Sequence, residues 1–137
     1  MNSLAEDLRQ LLFDAGTVSE DPLADWAGHV GRFPDTPSQL VCLRDMPSEG
    51  PLYLMCPVTV QNDACKAVIR SLTYKTGYSK GVEVAEVLEL NEVIEMGSIK
   101  YWAIRRSSSV TYLDTDANGR HLFEVTFQAQ RQHIKET

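Results

Sequence analysis

A chain of 137 residues with a formal charge of −6 and a pI near 5.0 has the size of one ordinary domain, enough to bury a core. Its 43% apolar and 23% charged residues lie near the globular average and exclude disordered and collagen-like chains. Lys and Arg number 13 against 19 Asp and Glu, so there is no cationic excess to release counterions from a nucleic acid.

Met1 to Gln10 has no basic segment leading into an apolar one, and no window approaches the roughly 18 apolar residues of a membrane span. The expectation is a protein made in the cytoplasm with no membrane partner. Cys42, Cys56 and Cys65 are odd in number, include no C-x-x-C pair and stand among apolar residues, the pattern of buried thiols rather than disulfides or a zinc site.

Ser3-Leu-Ala-Glu6 is a capping box. Leu4, Leu8, Leu11 and Leu12 follow on one stripe and Gly16 supplies a left-handed stop, which predicts a helix from about Leu4 to Ala15. Thr17 to Asp25 is polar and acidic and contains Pro22, a loop. Trp26 to Phe33 reads as a short extended segment, ended by the Pro34-Asp-Thr-Pro37 turn, and Gln39 to Leu43 as a strand. Met46 to Pro51 reads as a turn. Leu52 to Gln61 reads as another strand, which Pro57 restricts to an edge or a bulge, because proline has no N–H for the ladder.

Asn62 or Asp63 is a suitable N-cap, and Cys65, Val68, Ile69 and Leu72 recur at i, i+3, i+4 and i+7. That spacing predicts a second helix, ended by Gly77. Val82 to Met96 and Ile99 to Arg106 read as strands joined by a hairpin at Gly97-Ser98, with Lys100, Trp102 and Ile104 on one face. Glu86, Glu89, Glu92 and Glu95 then offer cross-strand partners to Arg105 and Arg106. Thr111 to Leu113 and Leu122 to Gln128 flank a second hairpin at Asn118-Gly119, where both residues accept positive φ. Its alternation sets Phe123, Val125, Phe127 and Ala129 against Leu122, Glu124, Thr126 and Gln128. The sum is one α+β domain over 1–137, an antiparallel or mixed sheet of about four to six strands with two main helices on one face.

Chemistry is sparse. Asp114-x-Asp116-x-Asn118-Gly119 matches the first half of a calcium loop, but Val125 stands where the closing bidentate Glu belongs, and the flanks read as strands. His29, His121 and His133 fall in three different elements without metal-ligand spacing. Cys65 has no assignable base, and Gly28-His-Val-Gly31 lacks the lysine and third glycine of phosphate-binding loops. No catalytic residue, metal or cofactor is expected, and no enzyme.

Read in order, the chain resembles the phage tail-terminator and minor-capsid family. The residues that carry this are the short N-terminal helix, Gly31-Arg-Phe-Pro-Asp-Thr-Pro37, the strand Pro57-Val-Thr-Val-Gln61, and the late Asp116-Ala-Asn-Gly-Arg-His-Leu-Phe-Glu-Val-Thr-Phe127. The polar, irregular Thr73 to Lys80 departs from the family's Ala- and Glu-rich helix. The resemblance implies a virion structural protein at the head-proximal end of the tail, in a hexameric ring of like subunits. The ring would cap the tail tube, join the head-tail connector proteins and let DNA pass through its lumen without sequence-specific binding. The alternative is a minor capsid or head-tail adaptor protein that binds another structural protein without ending the tube. Oligomer state separates the two, since an adaptor can be monomeric. Open strand edges invite pairing with a neighbour. The strand holding Pro57 and the final strand are the expected edges, with Tyr53, Pro57 and Phe127 as the expected contacts.

Overall fold

The capping box forms as its residue types dictate: Ser3 Oγ accepts from the Glu6 N–H at 3.3 Å and the Glu6 carboxylate accepts from the Ser3 N–H at 3.1 Å. It opens α1 (Leu4–Asp14), and Gly16, at φ +76°, ends it in the left-handed region. The computed structural model describes residues 3–53 and 59–134, and the side chains of all of these except 48–53 and 59. After α1 come β1 (Ala27–Val30), β2 (Leu40–Tyr53), β3 (Thr59–Ser71), α2 (Tyr74–Leu88), β4 (Ile94–Met96), β5 (Ile99–Arg106), β6 (Thr111–Thr115) and β7 (His121–His133).

The strands make one seven-stranded mixed sheet in the order β1-β2-β3-β7-β5-β4, with β6 also paired to β7. Only β1 and β2 run parallel; the other pairs are antiparallel. β7 is the hub. One of its edges carries β3, and the other carries β5 along Phe127–His133 and β6 along His121–Glu124. The final strand is therefore interior, not an edge, because the β6–β7 hairpin and β5 close its second side.

Strand alternation sorts the residues onto two faces. Val41, Ile69 and Phe123 stand in register on one face, followed by Leu43, Ala67 and Val125, then Cys65 and Phe127. α1 contributes Leu4, Leu8 and Leu12 to this core and α2 contributes Val84, Ala85 and Leu88, so both helices lie on the same face, as expected. Each fully buried leucine contributes about 1.5–3 kcal/mol by transfer from water.

Several elements differ from the sequence reading. The single strand read at Leu52–Gln61 belongs to two, its first two residues ending β2 and its last three opening β3. The helix predicted from Asn62 or Asp63 to Gly77 is β3 as far as Ser71: Cys65, Ala67 and Ile69 are buried on the helix side, Val68 is buried on the opposite face, and Leu72, beyond the strand, is exposed. Burial on both faces at this end of the strand put apolar residues at adjacent positions and imitated a helical stripe. The second helix is instead α2. Thr73 caps it, its Oγ1 accepting from the Thr76 N–H at 3.2 Å, and it takes in both Gly77 and the Val82–Leu88 segment read as a strand. Its inner stripe of Gly77, Gly81, Val84, Ala85 and Leu88 begins with glycines, which give no hydrophobic signal. A Cβ at Gly77 would stand 2.6 Å from the Phe123 ring and one at Gly81 2.8 Å from Val110, so these glycines let the helix lie close to the sheet.

The turn read at Met46–Pro51 lies within β2, as a register slip between Met46 and Gly50 in a continuous pairing with β3. Lys100 and Trp102 meet as expected, with Nζ 4.0 Å from the ring centroid, but another slip, between Tyr101 and Ala103, turns Ile104 to the helix side, where it is fully buried.

Candidate functional site: the sheet face away from the helices

The face opposite the helices has two halves. Over the first, at Leu40, Cys42, Val68 and Arg70, lies the 31–39 loop that holds Gly31-Arg-Phe-Pro-Asp-Thr-Pro37. Arg70, almost fully buried, reaches from β3 into the loop. Its Nε donates to the Ser38 carbonyl at 3.1 Å and its Nη2 to the carbonyls of Asp35, at 3.0 Å, and Pro37. Its guanidinium carbon stands 4.7 Å from the Phe33 ring centroid. Burial and the nearby Arg120 charge pull the Arg70 pKa below its ordinary value.

Arg120, from the second hairpin, holds the same loop. Its Nη1 donates to the Asp35 carbonyl at 2.6 Å, its Nη2 to the Asp35 carboxylate at 2.9 Å and its Nε to Asp116 at 2.8 Å. Two of the segments that carry the family resemblance, Pro-Asp-Thr-Pro and Asn-Gly-Arg, thus meet in one contact. Desolvation raises the Asp116 carboxyl, but hydrogen bonds from the N–H and side chain of Arg120 and from the Asn118 N–H outweigh it and hold the group below the carboxylate range. With its oxygens accepting from Arg120 and Asn118, Asp116 belongs to a turn, and Gly119 (φ +74°) takes the left-handed position without Asn118 joining it.

Beyond Val68 and Cys42 the face is open and polar. Arg44, Lys66 and Thr126 share one register row; Ala64 and Gln128 follow, then Asn62 and Gln130. β5 adds Ala103, Arg105 and Lys100, opposite Gln130, Gln128 and Gln132. Asn62, Ala103, Arg105, Gln128 and Gln130 line a shallow depression of about 360 Å³.

On the helix side a buried polar group ties α1 to the sheet. Tyr101 Oη donates to Asp7, and Arg131 pairs with Asp63 at 3.1 Å and Asp7 at 3.8 Å. Burial, followed by the hydrogen bond to Asp7, pushes the Tyr101 phenol well above its usual range. Burial also raises the Cys42 thiol and pushes Cys65 up to about 12, with the Asp45 charge adding to the latter, which leaves both unreactive at neutral pH. Among the described residues no group of three His, Cys, Asp or Glu could hold a metal, and no helix is long and apolar enough to cross a membrane.

Of the expected contact residues, Phe127 is fully buried within its own subunit, between Cys65 and Arg106. Tyr53 ends β2, and Pro57 lies outside the described residues, as does Cys56. β1 pairs with Leu40–Leu43 alone, so among the described residues the outer edge of β2 from Arg44 onward has no partner strand. The sequence reading missed Arg70 and Arg120. For Arg70 the available signal was a basic residue directly after the apolar Ala67-Val68-Ile69 of β3; Arg120 stands in the hairpin turn before β7 and gave no such signal.

A family model described as bacteriophage tail terminator protein matches residues 12–133. The chain belongs to this tail terminator family. No curated protein sequence matches it. Among solved structures, a chain of the virion of a native gene transfer agent particle aligns with a TM-score of 0.64 over 95% of both chains at 10% identity, which shows that the fold is shared. Another solved chain aligns over 98% of this chain and 100% of its own at 13% identity, with a TM-score of 0.49.

Proposed function

We propose that this tail terminator is a non-enzymatic virion protein that closes into a hexameric ring at the head-proximal end of the tail, stops growth of the tube and joins it to the head connector. The observation that carries the reading is the family match over residues 12–133. The likeness to a chain of a gene transfer agent virion supports a place in the particle. A ring of like subunits needs two different surfaces that meet head to tail and close. The outer edge of β2 from Arg44 to Tyr53 supplies one such surface, because among the described residues no strand pairs with it.

The test is made on tails assembled with and without the protein. Without it, tubes should lose their uniform length and fail to join heads, and labelled protein should sit at the head-proximal end at six copies per tail. One copy per particle, or a position elsewhere, overturns the assignment in favour of an adaptor.

A further inference from the structure

One row of the sheet crosses five strands: Gly28 of β1, then Val41, Ile69 and Phe123, and last Tyr112 of β6. At about 4.8 Å per strand its two ends stand roughly 19 Å apart. The β6 end gathers apolar surface. Of the large hydrophobic side chains that are exposed among the described residues, Leu72, Tyr74, Tyr78, Tyr112 and Leu113 all lie here. The tyrosine rings surround Phe123, with centroids at 5.1 Å for Tyr74, 5.2 Å for Tyr112 and 6.3 Å for Tyr78. Each ring is held on one side and meets water on the other. Together the five present on the order of 500 Å² of mostly apolar surface, the size of patch that marks a binding site. At the β1 end stands Leu23, 76% exposed. Its N–H donates to the Asp21 carboxylate at 3.0 Å, and the preceding Pro22 carbonyl is 3.3 Å from His29 Nε2 on β1. Glu20, Asp21 and Asp25 surround it, all exposed. The patch has the opposite sign. The first turn of α2 contains Lys75 and no carboxylate, and the positive end of the helix dipole adds to it. The nearby carboxylates are turned away or taken up: Asp114 is in register with Leu122, on the other face from Tyr112, Glu83 pairs with Lys80, and Asp35 and Asp116 pair with Arg120.

We infer that the patch of Tyr74, Tyr78 and Tyr112 on one subunit receives the Leu23 loop of a second copy of this chain, with Leu23 packed on the rings and Lys75 facing the loop's carboxylates. The occupant follows from complementarity within the one sequence: an apolar knob with an acidic rim stands at one end of the row, an apolar cradle with a cationic rim at the other. The two ends cannot meet in one subunit, so the contact is heterologous and each subunit can make it twice. Rings that already hold one another lose little freedom on binding, which suits them as anchors. The patch is smaller than the about 800 Å² per partner of a stable complex, so a single contact is weak and is reinforced where a subunit is held on both sides. β1 and the free edge of β2 lie on one side of the sheet, and β4 and β6 on the other, so the Leu23 loop and that edge face the same neighbour. Closure of these contacts into a ring rests on the terminator reading; the contact itself does not.

The experiment follows the Leu23 methyl and Tyr74 ring NMR signals of the full-length chain from about 10 μM to about 1 mM, a range that detects contacts of millimolar affinity. Both sets should shift with concentration. Leu23→Asp and Tyr74→Asp alter exposed side chains and should melt close to the parent, yet each alone should show no concentration dependence in the signals it retains. Mixed in equal amounts they should regain it, because the first keeps an intact patch and the second an intact loop, and the mixture should stop at two chains. Signals of the parent that stay fixed up to about 1 mM overturn the inference, as do single variants that associate like the parent. A mixture that stays silent also overturns it, since the patch would then meet another patch. These results are independent of the tail-length experiment: a chain that pairs in this way while tails form normally without it would keep the contact and lose the terminator reading.

Discussion

Neighbouring residues of β7 live in different surroundings. Phe127 is fully buried beneath the helices, and Gln128 stands exposed on the open face. The helix side is held by apolar area and close packing; the other side, where it is covered at all, is held by two arginines that bind backbone carbonyls. The fold's free energy is concentrated on the first face, which leaves the residue types of the second free to follow function.

The largest expected effect tests that contrast. Phe127→Ala should cost about 3–5 kcal/mol, from lost transfer energy and the cavity left behind, whereas Gln128→Ala should stay within about 0.5 kcal/mol of the parent. Denaturant unfolding with a common slope checks both. Similar costs for the two would mean that the open face is covered in solution.

Next is the loop fastening. Arg120→Ala should cost about 1.5–3 kcal/mol, because it removes charge-assisted bonds from a side chain only 10% exposed. Asp35→Ala should cost less than about 1 kcal/mol, since that carboxylate is 79% exposed and its pair is solvent-screened. If the two variants lose the same stability, the carboxylate holds the loop. If Arg120→Ala alone is damaging, the carbonyls do.

The helix-covered face was legible wherever one side of a strand met water. In β7 the alternation of Phe123, Val125, Phe127 and Ala129 with polar neighbours showed which side is buried, and in α1 the capping box and leucine stripe gave the limits to within a residue. Legibility failed where both sides are covered. Val68 and Ile69 are adjacent and both buried, Val68 on the face where Cys42 and Arg70 bond the 31–39 loop, and no local pattern announces a loop that folds back from about 30 residues earlier. It failed again in α2, whose contact with Phe123 is made by a missing side chain at Gly77. The turn motifs were visible as turns, but that Asp35 and Arg120 meet is a tertiary fact.

A smaller effect is expected at Gly119. Its φ of +74° is strained for a β-branched residue, while no atom lies within 4 Å of a Cβ built there. Gly119→Val should therefore cost roughly 1 kcal/mol from backbone strain alone, without a clash. Gly119→Asn, which tolerates the left-handed region, should recover most of the loss. A much larger loss from the Val variant would mean that the turn packs against another molecule.

The smallest expected effect separates the two faces by pH. Hydrogen bonds from Arg120 and Asn118 hold the Asp116 carboxyl below its ordinary range in the folded protein. A carboxyl depressed on folding contributes stability that is complete above its unfolded value and is lost as pH falls through the folded one. The apolar contacts on the helix side carry no such dependence. Asp116→Asn should therefore be less stable than the parent by a constant amount above about pH 5, and the difference should shrink below about pH 4, where protonation does to the parent what the substitution has already done. Phe127→Ala should show a deficit that does not change over the same range. Thermal midpoints of the three proteins at matched ionic strength would decide it. A deficit for Asp116→Asn that persists at acid pH would show that the hairpin depends on the shape of the Asp116 side chain rather than on its charge.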